Sequence, residues 1–132
     1  MHDLLDTHLY EALGEAGFAR LVGAFYRRVA KDDLLGPMYE ESLRASGDSM
    51  QDAEGRLRDF LVQRFGGPGR YSEARGHPRL RMRHAEFPID QVIATRWVTL
   101  MDGAIDEAEI TGEPASLLRR FFADAALFLV NS

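Results

Sequence analysis

Apolar residues along this chain recur three and four positions apart rather than alternating, and that spacing marks out helices. Phe18, Leu21, Val22, Phe25, Tyr26 and Val29 form one such stripe and predict an amphipathic helix. Gly36-Pro37 then reads as the stop of a short turn that follows it. Leu57, Phe60, Leu61 and Phe65, with charges between them, predict a second helix. It starts between Asp48 and Asp52 and closes at Gly66-Gly67-Pro68, residue types that end helices. The polar, glycine-containing stretch from Arg44 to Asp52 reads as a mobile connection. Ile89, Val92, Ile93, Arg96, Trp97, Leu100, Met101, Ala104 and Ile105 make a long helical face, with Pro88 near its first turn and Asp90 placed to cap it. A last helix begins near Pro114 and runs through Leu117, Leu118, Phe121, Phe122, Ala125, Phe128 and Leu129. Nothing reads as a strand and no repeat is present, so the expected class is all-α, four main helices plus short ones.

Size and charge narrow the picture. A chain of 132 residues is expected to be one domain, residues 1–132, burying about two thirds of its unfolded surface. It is 45% apolar and 28% charged with a formal net charge of −5, which argues against a nucleic-acid partner. No apolar run approaches the ~18 residues that cross a bilayer, so no membrane partner is expected. The start, Met1-His2-Asp3, lacks the basic-then-apolar order of a signal peptide, and the expected compartment is the cytoplasm. With no cysteine, disulfides, thiolate chemistry, iron–sulfur clusters and covalent haem attachment through cysteines are excluded.

The charge is unevenly spread. Between residues 70 and 84 stand five arginines, Arg70, Arg75, Arg79, Arg81 and Arg83, against one acid, Glu73. A basic patch in an acidic protein suits an anion. The stretch from Pro68 to Pro78 reads as a loop by its prolines and glycines, and long ordered loops are often functional. Of the histidines, His2 and His8 lie near the start, and His77, between Gly76 and Pro78, suits a turn-stabilising role. His84 alternates with Leu80, Arg81, Met82 and Arg83 on a short helical segment before Pro88. By residue type alone it reads as a core histidine ahead of an iron ligand. Haem would use both features at once, since its propionates need cations at the edge while its iron needs an imidazole near the centre.

The string from Gly66 to Phe87, GGPGRYSEARGHPRLRMRHAEF, preceded by Phe25-Tyr26 and Tyr39 and followed by Trp97, resembles the second group of bacterial truncated haemoglobins. The likeness spans nearly the whole chain, and 22 residues with fixed glycines, prolines and arginines are far more specific than a short motif. It implies a truncated globin fold, a two-over-two helical sandwich around a non-covalently held haem b, with His84 as the iron ligand. It further implies a distal pocket lined by Tyr26, Tyr39 and Trp97, with Ala53 at the usual distal-histidine position. Apolar haem contacts fall on Leu57, Phe60, Met82, Phe87, Ile93 and Trp97, and propionate contacts on Arg56, Tyr71 and Arg83. Two departures stand out: the early glycine pair appears as Gly14-Glu15, and the connection from Tyr39 to Ala53 is longer than in the family pattern.

On residue type alone, Tyr26 and Trp97 read as large core residues whose polar tips touch backbone. The resemblance makes them hydrogen-bond donors to a bound dioxygen, each such bond being worth about 1–3 kcal/mol in a dry pocket. It implies binding of a diatomic gas (dioxygen, nitric oxide or carbon monoxide) with a redox role, either nitric oxide dioxygenase or peroxidase-like, fed by an external electron donor. The alternative is reversible dioxygen storage or gas sensing without turnover. A third reading has no haem, with the arginines docking an acidic partner. Monomer and homodimer are both compatible with this reading.

Overall fold

A computed structural model describes residues 4–76 and 89–130. Every regular element among them is an α-helix: α1 (Leu4–Lys31), α2 (Leu35–Ser46), α3 (Met50–Arg64), α4 (Arg70–Arg75), α5 (Gln91–Glu107) and α6 (Gly112–Leu129). The all-α expectation holds. Two pairs, α1 with α3 and α5 with α6, are joined where α1 packs onto α5, while α2 lies across α1 and α4 rests on α3.

The stripe read from the sequence is the centre of this packing. Phe18, Leu21, Val22, Phe25 and Val29 of α1 are fully buried and meet Leu61, Val62 and Phe65, Met101, Ala104 and Ile105, and Leu118 and Phe122 in one apolar cluster. Each large side chain so buried contributes roughly 1.5–3 kcal/mol. No polar or charged residue is buried among those described. α1 is longer than its stripe and kinks at His8 and at Gly14, whose φ of 70° is a left-handed value.

Three local expectations are corrected. Gly36-Pro37 does not stop a turn; it lies in the first turn of α2. The reason is the preceding acid: Asp32 Oδ2 accepts from the amides of Leu34 at 3.1 Å and Leu35 at 2.8 Å, and its carbonyl accepts from Gly36 at 3.0 Å. Pro37 has no amide to satisfy, so the first turn is complete. Glycine suits the tight space beside it, since a Cβ on Gly36 would stand 3.0 Å from the Val29 carbonyl.

The stretch from Arg44 to Asp52, expected as a mobile connection, is two caps back to back. Gly47 closes α2 at φ 76°, with the Gly47 and Asp48 amides donating to Arg44 and Leu43. Ser49 then opens α3 with a capping box, its hydroxyl accepting from the Asp52 amide and the Asp52 carboxylate accepting from the Ser49 amide, both at 3.1 Å. The stretch from Pro68 to Pro78 contains α4 rather than being all loop, with Gln63 bracketing Ser72 through hydrogen bonds of 2.7 and 2.9 Å. α5 is capped as expected, the Asp90 carboxylate accepting from the Ile93 amide at 2.9 Å.

Ser49→Ala is expected to lower stability by about 1 kcal/mol in urea titration; an unchanged midpoint would remove the capping box from the account. The Asp32 carboxyl is held below the ordinary carboxylate value by the Leu35 amide first, and also by Arg96 and the Leu34 amide. A depressed carboxyl adds stability that is complete above the unfolded value of about 4 and fades as pH falls through the folded one. The Tm gap between the parent protein and Asp32→Asn should therefore be widest near neutrality and narrow in acid.

Candidate functional site

The aromatic residues that the sequence singles out come from three different helices and meet in space. Tyr26 leaves α1 near its end, Tyr39 lies one turn into α2, and Trp97 lies in the first half of α5. The Tyr26 and Tyr39 rings meet edge to face at 6.0 Å, and the Trp97 indole N–H donates to the Tyr39 hydroxyl at 3.2 Å. Behind them, Phe25 packs against Tyr26 at 5.2 Å and Trp97 at 5.4 Å, and Phe122 closes on Trp97 at 5.6 Å. Phe122 reads from the sequence only as a core residue, and Phe25 as part of the stripe and of the Phe25-Tyr26 pair; their place beside Phe121 and Tyr26 is the signal that they buttress the site.

Burial governs the electrostatics. The Tyr39 hydroxyl is pushed up to about 12 by desolvation, with the Trp97 N–H pulling the other way. Tyr26 is driven well above the ordinary tyrosine value, by desolvation first and then by Tyr39. Both therefore keep their protons at any physiological pH and can donate them. Among the described residues, the Tyr26 hydroxyl has a free donor, whereas the Trp97 N–H is already engaged.

On α3, Ala53 is buried, and Leu57 and Phe60 are only partly so; on α5 the same holds for Ile93 and Trp97. Tyr71 of α4 is buried with its ring 5.5 Å from Phe60. Arg56 is held by Asp48 at 3.0 Å. Arg70, counted in the basic patch, is committed to acids at the surface, bonding Glu15 at 2.6 and 2.8 Å and lying 3.6 Å from Asp59. Met82, Arg83, His84 and Phe87, like His77, lie outside the described residues. A surface cavity of about 490 Å³ lined by Glu15, Ala16, Ala19, Arg58, Asp59 and Arg70 includes none of the expected site residues.

Sequence reading also missed a polar tie beside the aromatics. Arg96 Nη1 bonds Asp32 Oδ1 at 2.8 Å and Asp33 Oδ1 at 3.0 Å. Its signal was an Asp-Asp pair standing just ahead of the Leu-Leu-Gly-Pro start of α2, the position of a helix cap.

No helix among the described residues is long and apolar enough to cross a membrane. The family model for bacterial-like globins matches residues 8–127. The group 2 truncated haemoglobin YjbI of Bacillus subtilis is 39% identical over 92% of this chain and 87% of its own length. Among solved structures, a thermostable haemoglobin of Thermobifida fusca superposes with a TM-score of 0.85 at 43% identity, covering 94% of this chain and 97% of that one. A truncated oxygen-avid haemoglobin from Bacillus subtilis does so at 0.84 and 36%, covering 92% and 98%. With the motif, the helix order and the tyrosine–tryptophan cluster all agreeing, the chain belongs to the bacterial-like globins and, among them, to the group 2 truncated haemoglobins.

Proposed function

We propose that this protein binds haem b without a covalent bond and uses it to take up dioxygen and other diatomic ligands, in a redox role. The observation that carries this reading is the cluster of three protonated hydrogen-bonding aromatics, from three helices, in surroundings without a buried charge. The residues fit such a group. Leu57, Phe60, Ile93 and Trp97 keep apolar surface partly uncovered on α3 and α5, where a flat apolar ligand would cover it. Haem, when bound, supplies an iron that takes a diatomic ligand and exchanges electrons.

The chain's own groups do the rest. His84 is assigned as the iron ligand, with Met82 and Phe87 as further apolar contacts. Arg83, Tyr71 and Arg56 are assigned to the propionates, with which Asp48 would share Arg56. Tyr26 donates a hydrogen bond to a polar ligand directly, and Tyr39 donates one from a hydroxyl whose oxygen already accepts from Trp97. Ala53 has no polar atom to offer, so discrimination by hydrogen bonding falls to the aromatics. Phe25 and Phe122 exclude water behind them, which strengthens each donor.

A relative is described as oxygen-avid, and tight dioxygen binding suits oxidation of nitric oxide or peroxidase-like turnover with an external electron donor better than transport. An acidic chain, none of whose described helices is long and apolar enough to cross a membrane, suits such work in the cytoplasm.

An absorption spectrum of purified protein, ferric and then reduced with and without carbon monoxide, should show a Soret band that shifts on gas addition. A colourless protein that also refuses added hemin would sink the proposal. Trp97→Phe removes the N–H that polarises Tyr39 and should speed dioxygen release about tenfold, the equivalent of roughly 1.4 kcal/mol; an unchanged rate would take Trp97 out of the distal role. His84→Ala should lose normal haem retention, and an unaltered five-coordinate ferrous spectrum would overturn that assignment.

A further inference from the structure

We propose that Arg96 is a positioning residue for the distal pair: through Asp32 it fixes the start of α2 against α5 and so sets the separation of Trp97 and Tyr39. The inference rests on the distal reading of those two aromatics given above. Arg96 and Trp97 are neighbours on α5, about 100° apart around its axis. One reaches the α1–α2 corner and the other reaches Tyr39, so α5 grips α2 at two points.

The first grip is Asp32. Its side chain is only 10% exposed and both carboxylate oxygens are used. Oδ2 holds the Leu34 and Leu35 amides that begin α2, and Oδ1 takes Arg96 at 2.8 Å. A displacement of Arg96 is thus passed to the backbone of the first turn. The second grip, the 3.2 Å bond from Trp97 to Tyr39, falls one turn later on the same helix.

The start of α2 has little room to drift along α1, because Gly36 already rides close on the Val29 carbonyl. What remains free is its separation from α5, and the Arg96–Asp32 bond spans that gap. Asp33 also touches Arg96 but is 92% exposed, so solvent and salt screen that contact. Asp32 is the operative partner.

Both contacts of Arg96 come from one nitrogen, which an ammonium group can imitate, so Arg96→Lys should work where Arg96→Gln does not. The chain has a single tryptophan, so the indole N–H of Trp97 gives one resonance that reports its hydrogen bond directly. The test compares the parent protein with Arg96→Gln, Asp32→Asn, Arg96→Lys and Asp33→Asn as carbon monoxide complexes of the reduced protein. Three quantities are read: the indole resonance, the carbon monoxide stretching band, and separately the dioxygen release rate.

Arg96→Gln and Asp32→Asn should shift the indole resonance, broaden the stretching band toward higher frequency and speed release about threefold to tenfold. Arg96→Lys and Asp33→Asn should stay near the parent. If the first two lower Tm but leave all three quantities unmoved, the pair is only a structural brace and the proposal is overturned. If the parent protein takes up no haem, the functional reading fails on its own. The indole resonance of the colourless protein then decides the present inference: a shift in Arg96→Gln restored in Arg96→Lys supports it, and no shift overturns it.

Discussion

The buried face of α1 is the constraint on which the rest depends. It must be apolar from Phe18 to Val29 because α3, α5 and α2 all pack on it, and no polar atom there could find water. That demand also places Tyr26, since the stripe that buries Phe25 and Val29 carries the next ring into the same interior. The polar tip of Tyr26 is then the exception, held in an apolar setting where desolvation keeps it protonated. A donor of fixed protonation is thereby produced by packing, with no charged neighbour needed.

The long apolar stripes were legible in the sequence because helical period leaves a strong signal over many residues. α1, α3, α5 and α6 stand where Phe18–Val29, Leu57–Phe65, Ile89–Ile105 and Leu117–Leu129 place them. The errors fall where one side chain decides the backbone. Gly36-Pro37 looks like a breaker until the carboxylate of Asp32 is seen to supply the first turn of α2. Gly47 looks like slack until the Ser49–Asp52 box is seen to restart the chain two residues later. Glycine and proline mark a change of direction, and hydrogen bonds from elsewhere decide whether the chain ends an element or turns within one.

The site divides in the same way. Tyr26, Tyr39 and Trp97 were legible as a set because the resemblance carries them, but their mutual bonding was not. Which of three donors is already spent depends on a distance between helices far apart in sequence. The arginines show the converse: Arg70 and Arg56 read as cations in search of an anion, yet Glu15, Asp59 and Asp48 face them in the fold. Sequence neighbours describe a cation's local charge; partners 8 to 55 residues away settle how much of it is left.

The corner at Gly47-Asp48 has a mechanical meaning beyond its caps. Two helices parted by only Gly47, Asp48 and Ser49, with Asp48 also tied to Arg56 a turn and a half into α3, behave as a bracket rather than a tether. Ala53 and Tyr39 stand on the two arms of that bracket. This connection is built for stiffness, so a push on one arm is felt at the other.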